Sequence, residues 1–261
     1  MARGRTQRVM STQATAGQET NRPDDLIVEE PLEIRLDDQL VSTTMRTPGH
    51  DYELAAGFCM TEGLLGGATV TEIRYCATGS AVETEFNVVS VDTGGRAPTP
   101  TPRLGNTTSS CGLCGSASID TLASRLAPLD PVRVDPAVVA KVGELVTDRQ
   151  ELFGRTGGVH AAATFDLDTG EIGVVREDIG RHNALDKVAG RLLLDGMLPA
   201  SESGVWISGR ASFEMVQKTW AIGAPVLVSV SAASALAVDT ARRAGITLIA
   251  FARDDHLVRY P

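Results

Sequence analysis

Hydrophobic positions recur at two periods along this 261-residue chain, and the alternation between them outlines the fold. Residues 205–208, 225–230 and 246–252 are short apolar runs of strand length, while 213–222 and 235–244 carry helical spacing. This β-α-β-α-β alternation predicts right-handed crossovers and a largely parallel sheet buried between helices. Upstream, residues 27–46 alternate around Leu36-Asp37-Asp38-Gln39-Leu40, which predicts a hairpin with a polar turn. After the breaker cluster Thr47-Pro48-Gly49-His50-Asp51, the residues Leu54, Ala55, Phe58 and Leu65 mark one helix face, within which Cys59 reads as packing. Residues 73–76 and 84–91 read as two further strands, with Cys76 in the core.

Asp135-Pro136 opens a helix carrying Val138, Val142, Leu145 and Leu152, with Gly154 ending it. Residues 161–166 and 171–176 flank Leu167-Asp168-Thr169-Gly170, a second hairpin signal. Asn183 is then expected to cap a helix with Leu185, Val188, Leu192 and Leu193 on one face and Asp186 in its first turn. Arg181 and His182 stand at its entrance, a position that favours anions. The pattern divides the chain into a disordered tail at 1–24, a β-rich portion at 25–108 containing a helix and a loop, and an α/β core at 109–261.

Composition narrows the class. A hydrophobic content of 43% and a mean hydropathy of +0.00 describe a globular chain able to bury a core. The net charge of −9 argues against duplex nucleic acid as a partner, because that needs a basic surface. No apolar run reaches membrane-spanning length, and the tail has no apolar segment of a secretory signal. Four cysteines are too few for a disulfide framework at this length, which favours a reducing cytoplasm.

Candidate chemistry lies in two places. Ser109-Ser110-Cys111-Gly112-Leu113-Cys114-Gly115-Ser116 precedes a helical pattern at Ile119, Leu122, Ala123 and Leu126. Cysteines at an amide-rich helix start between glycines are accessible and favour the thiolate. Zinc, redox and sulfur-carrier chemistry are open to the motif in equal measure. Residues 94–108, with three prolines and little apolar periodicity, form a loop delivering the chain to it, as suits a group carrier. The second place is the carboxyl edge of the C-terminal strands. Ser208-Gly209-Arg210-Ala211-Ser212, Ser231-Ala232-Ala233-Ser234 and Arg253-Asp254-Asp255-His256 all fall there, where hydroxyls, amides and arginines suit phosphates. Asp254 or Asp255 suits a base edge or a ribose. No Gly-x-Gly-x-x-Gly or P-loop fingerprint occurs.

Several separated blocks together resemble the formate dehydrogenase accessory sulfurtransferase family, FdhD. They are Thr47-Pro48-Gly49-His50-Asp51-Tyr52-Glu53-Leu54-Ala55-Ala56-Gly57-Phe58, Ser110-Cys111-Gly112-Leu113-Cys114-Gly115, Thr156-Gly157-Gly158-Val159-His160-Ala161-Ala162, Glu177-Asp178-Ile179-Gly180-Arg181-His182-Asn183-Ala184-Leu185-Asp186-Lys187 and Ser208-Gly209-Arg210-Ala211-Ser212. The resemblance implies a three-layer α/β sandwich similar to cytidine deaminases. It implies a cytoplasmic sulfurtransferase that takes persulfide sulfur from a cysteine desulfurase and passes it to the molybdenum cofactor, bis-molybdopterin guanine dinucleotide, for formate dehydrogenase. Cys111 matches the persulfide-bearing residue and Cys114 its partner. Phe251, Ala252, Arg253, Asp254, Asp255 and His256 match the cofactor-holding segment, and Ser208, Arg210, Ser231 and His182 are added as cofactor-binding candidates. A homodimer is expected, with the cofactor as cargo rather than as a resident group, no metal ligands, no nucleic acid and no membrane.

Two rivals come from other classes. A zinc-dependent deaminase-like hydrolase would use a Cys-x-x-Cys with a histidine and a shuttle glutamate two residues beyond it. Here His160-Ala161-Ala162 has alanine at that place, and the histidine follows the cysteines instead of preceding them. A structural zinc on Cys111, Cys114 and His160 is the remnant of that reading. A non-catalytic cofactor-binding chaperone is the other.

Overall fold

The computed structural model describes residues 4–75, 84–99, 120, 122–253 and 256–260. Cys76, Cys111, Cys114, Asp254 and Asp255 lie outside them, as do most of the loop and the helix start expected around the cysteine pair.

Where a disordered tail is expected at residues 1–24, the chain from Thr6 on is structured. β1 (Thr6–Thr15) and β2 (Gln18–Ile27) form an antiparallel ribbon running from Thr6 opposite Ile27 to Thr15 opposite Gln18. Ala16 and Gly17 at its tip have φ of 48° and 83°, the left-handed pair of a tight hairpin turn. The ribbon has no apolar alternation, so composition hides it. It is specified by cross-strand partners such as Arg8 and Asp25 at 2.9 Å.

β3 (Glu30–Leu36) and β4 (Gln39–Arg46) make the predicted hairpin, turning through Asp37 and Asp38 at positive φ. After α1 (Asp51–Thr61), β5 (Glu72–Tyr75) and β6 (Val88–Asp92) complete a four-stranded sheet in the order β4-β3-β6-β5. Leu32, Ile34, Leu36, Leu54, Cys59, Val89 and Val91 form the core between α1 and this sheet. Burial pushes the Cys59 thiol up, with Asp186 and Asp37 adding to it, which leaves the sulfur protonated and inert.

α2 (Pro136–Thr147) starts on Asp135, whose carboxylate accepts from the Ala137 amide at 2.8 Å. The single helix expected through Leu152 is broken. A separate α3 (Glu151–Thr156) follows Gln150 and ends at Gly157, not Gly154, with Gly157 at φ 62°. Glu177 fixes the new start, accepting from the Leu152 and Phe153 amides at 2.9 and 2.8 Å. A cap supplied from so far along the chain leaves no local pattern.

β7 (His160–Asp166) and β8 (Ile172–Asp178) form the second hairpin, and α4 (Arg181–Leu194) begins after Gly180. Asn183, expected as its cap, lies inside the first turn, where its amide group donates to Met45 O at 2.8 Å and Asp178 Oδ1 at 3.0 Å. Then come β9 (Ser203–Ile207), α5 (Phe213–Ala221), β10 (Val226–Ser229), α6 (Ala235–Ala244), β11 (Thr247–Arg253) and β12 (His256–Tyr260). The sheet order is β12-β11-β10-β9-β7-β8. β9, β10 and β11 run parallel, as the alternation predicts, while β12 folds back and the β7–β8 hairpin joins β9 antiparallel. The parallel run is therefore the centre of a mixed sheet.

Helices cover both faces of this sheet. Leu185, Val188, Met215 and Ala237 meet Val205, Ile207, Leu227 and Leu248 on one side, and Val139, Val142 and Val146 meet Phe165, Trp206, Val226 and Val228 on the other. The result is a three-layer α/β sandwich, with each buried aliphatic side chain contributing about 1.5–3 kcal/mol.

The N-terminal sheet joins this core where α1 crosses α4. A Cβ on Gly190 would lie 1.8 Å from Glu53 O, and one on Gly57 would lie 1.8 Å from Asp186 O, so the two backbones touch. Most polar groups caught in this seam are paired, while Arg5 Nε beside Gly49 has no partner among the described residues. Asp178 accepts from Lys187 Nζ at 2.7 Å, Thr47 N at 3.1 Å, Gly180 N at 2.8 Å and Asn183 Nδ2. Lys218 Nζ donates to both Asp186 oxygens at 2.9 and 3.0 Å, and to Thr61 and Glu62.

Candidate functional site

The carboxyl ends of β9, β10 and β11 carry short loops of small residues that lie close enough to be stitched together. Ala211 N donates to Ala232 O at 3.1 Å and Ser234 N to Ala211 O at 3.0 Å. Phe251 N reaches Ser231 O at 3.0 Å, and Arg253 Nε reaches Val230 O at 2.7 Å. Because β7 runs antiparallel to β9, its first residue arrives at the same edge. There His160 Nδ1 lies 3.2 Å from Ser208 Oγ, which also accepts from Ala161 N at 3.0 Å.

Beside this contact is a cleft of about 440 Å³ lined by His160, Ser208, Trp206, Gln150, Phe153 and Gly158, among others. Trp206 is 3% exposed, and its Nε1 has no hydrogen-bond partner among the described residues. A buried N–H left unpaired costs about 1–3 kcal/mol, a penalty that an acceptor reaching it would relieve. Burial holds the His160 imidazole below its usual range, with Arg181 and His182 adding to the effect, so the ring is neutral at pH 7.

Gly209 is the saddle between the cleft and the entrance of α4. A Cβ there would stand 3.3 Å from Arg181 Cδ and 3.6 Å from His160 Nδ1, so glycine leaves both side chains room, and Ser229 Oγ pins its carbonyl at 2.7 Å. Arg181 Nε and His182 Nε2 are buried and lack hydrogen-bond partners among the described residues. His182 Nε2 stands 3.7 Å from Glu214 Oε2, an ion contact longer than a hydrogen bond. Glu214 also accepts from Ser212 Oγ at 2.8 Å, and its carboxyl is held at about 2, by His182 first and against the opposing effect of burial. This edge thus presents a neutral imidazole, hydroxyls, a buried guanidinium N–H and the start of α4, which no side chain among the described residues caps, a donor set suited to an anionic ligand.

Of the residues singled out from sequence, Ser208 lines the cleft and His182 stands at the α4 entrance. Ser231 and Arg253 belong to the stitched loops, where the contacts of Ser231 are made by its backbone. Ala252 and His256 line a second cavity of about 250 Å³ with Pro136 and Ala137. Phe251 is 41% exposed and has φ 53°, a strained conformation for an aromatic residue. Arg210 is exposed and forms no ion pair among the described residues, so it is not drawn into the cleft. Trp206, Gln150 and Glu214 escaped sequence reasoning. Strand alternation puts Trp206 opposite in sense to Val205 and Ile207, and a buried indole always raises the question of its N–H partner. Among the described residues no group of three or more His, Cys, Asp or Glu is placed to hold a metal ion.

The sequence model of the FdhD/NarQ family matches residues 27–261. The sulfur carrier protein FdhD of Mycolicibacterium paratuberculosis is 47% identical over 98% of this chain and 96% of its own length. Its namesake from Streptomyces coelicolor is 48% identical over 94% of this chain and 89% of its own. The crystal structure of a candidate formate dehydrogenase accessory protein from Desulfotalea psychrophila superposes with a TM-score of 0.76 at 25% identity, covering 98% of this chain and 97% of the other.

Proposed function

This chain belongs to the FdhD/NarQ family, and on that footing we propose that it is a cytoplasmic sulfur carrier serving formate dehydrogenase. Near-full-length identity to proteins named sulfur carriers is the observation that carries the reading. The thiolate of Cys111 attacks the outer sulfur of a desulfurase persulfide. The desulfurase thiolate leaves, and Cys111 holds the sulfur as Cys–S–SH without net oxidation. Attack by the Cys114 thiolate on the Cys111 sulfur then forms a Cys111–Cys114 disulfide and releases the terminal sulfur as HS⁻ to the molybdenum cofactor, and a cellular dithiol restores both thiols.

The cargo is bis-molybdopterin guanine dinucleotide, held at the carboxyl edge of the parallel strands. Ser208, Ser231, Arg210, Arg253 and His182 are the candidates for its phosphates, and residues 251–256 for its guanosine portion. The Trp206 N–H that has no partner among the described residues, on a side chain that lines the same cleft as Ser208, supports an acceptor at this edge. The strain at Phe251 supports it from the other side of the same edge. The partners are a cysteine desulfurase, formate dehydrogenase and a second copy of the chain.

Mass spectrometry after incubation with a desulfurase and cysteine is expected to show one added sulfur that Cys111→Ala abolishes. Unchanged labelling in that variant removes the assignment. Formate dehydrogenase activation in cells lacking their own carrier is expected to fail with either cysteine variant, and activation by both would favour a chaperone that binds the cofactor without chemistry.

A further inference from the structure

The ribbon of β1 and β2 is unlike every other element of the molecule. Its base is held to the body. Arg155 Nη2 donates to Thr6 Oγ1 at 2.7 Å and to Asp25 Oδ2 at 3.2 Å, Val28 N donates to Arg5 O at 3.0 Å, and Ile27 Cγ2 stands 3.4 Å from the Cβ position of Gly158. Beyond Arg8 and Asp25 the ribbon leaves the body, and residues 12–23 are all exposed. It also precedes the part of the chain that the family model matches, residues 27–261, by almost its whole length. Two strands with no second layer are marginal in water, so an outstretched ribbon implies something that completes it.

The two strands have very different free edges. β2 carries Pro23, which has no amide to donate, between the charged Arg22 and Asp24, and proline within a sheet belongs to terminal strands. β1 has no proline, and from Val9 to Thr15 it has no charge. Among the described residues nothing pairs with its outer edge. The face that packs on Arg155 at the base continues outward through Met10 and Pro23, Thr12 and Asn21, then Ala14, uncharged as far as Glu19, with Met10 69% exposed. A ribbon meant to stay in solvent would be expected to carry charges along this length.

We propose that β1 is a homotypic docking edge. Two copies of the chain join through antiparallel pairing of their β1 strands about a twofold axis, making a four-stranded β2-β1-β1-β2 sheet with proline-bearing strands at both rims. Antiparallel pairing of like with like is the isologous arrangement that a twofold imposes. The charge pattern is self-compatible. A register centred on Ser11 sets Ser11 opposite Ser11 of the other copy and Arg8 opposite Ala14, so the single charge of β1 never meets its twin. This takes up the second copy named among the partners and assigns its contact surface, and it is independent of the cysteine chemistry.

Sedimentation of the full chain, of a chain with residues 9–24 replaced by Asn-Gly, and of Ser11→Lys tests it. The intact chain is expected to be a dimer and the shortened one a monomer that still unfolds cooperatively, since the Arg155 contacts at the base remain. Ser11→Lys is expected to weaken dimerisation about tenfold, like charges then facing each other, and mixing it with Ser11→Glu to restore the dimer. A dimer that survives loss of the arm overturns the assignment while leaving the homodimer intact. An intact chain that stays monomeric overturns both. Equal weakening by Ser11→Lys and Ser11→Glu without rescue on mixing overturns the twofold pairing through β1.

Discussion

The seam between α1 and α4 and the carboxyl edge of the central sheet are both polar and both largely buried, yet they are built on opposite rules. In the seam most charged groups are paired, Arg5 Nε being the exception. Asp178 accepts four hydrogen bonds, Lys218 donates to three residues, and Glu53 is bracketed by Arg176 and His50. At the edge, Trp206 Nε1, Arg181 Nε and His182 Nε2 are buried without hydrogen-bond partners among the described residues. Saturated networks fix geometry, while orphaned donors cost stability that only a ligand recovers. The seam residues therefore hold the molecule together, while the edge residues are left for something else to complete.

The largest effect is expected from leaving a charge of the seam unpaired. Asp178→Ala strands the Lys187 ammonium, 0% exposed, with only the Thr47 and Glu177 carbonyls, at an expected cost of about 3–5 kcal/mol in denaturant unfolding. The double variant Asp178→Asn with Lys187→Met is expected to recover much of that loss. If it does not, shape and not charge governs the site. Next in size is the acid limb of stability. The Glu53 carboxyl is pushed up by burial but held at about 2 by Arg176 and His50, against a usual value of 4.5. A folded-state value below the unfolded one means that the contribution is full above pH 4.5 and fades as pH falls from there towards 2. After allowing for solvent screening it amounts to about 2 kcal/mol, and Glu53→Gln is expected to flatten the urea midpoint across that window. An unchanged pH slope would remove Glu53 from the seam's charge balance.

Much of this division was legible in the sequence, and the boundary of legibility is physical. Apolar runs announced β9, β10 and β11 and the helices between them because burial on both faces forces such runs. The Asp37-Asp38 turn announced its hairpin because few residues accept that backbone. What stayed hidden depends on partners far along the chain. α3 starts where the Glu177 carboxylate meets it, Asn183 serves β4 and Asp178 instead of capping α4, and the N-terminal ribbon exists through pairing that composition does not encode. At the edge, Ser208 and the loops were legible from strand ends and small residues. Trp206 was not, because an apolar run treats an indole as a hydrophobe and overlooks its N–H.

Trp206 is also where the smallest stability effect and the clearest functional one are expected together. Trp206→Phe keeps an aromatic ring among Val139, Val142 and Val228 but deletes the N–H that has no partner among the described residues. Removing an unsatisfied donor offsets the loss of ring area, so the change in unfolding free energy is expected to stay within about 1 kcal/mol. If the cleft receives an acceptor on the bound nucleotide, affinity for guanosine diphosphate falls about tenfold, the worth of one buried hydrogen bond, and calorimetric titration reads it directly. Lost stability with unchanged affinity would move Trp206 to the structural side of the division. Unchanged stability with lost affinity would mark the edge as a site whose polar groups are completed by what it binds.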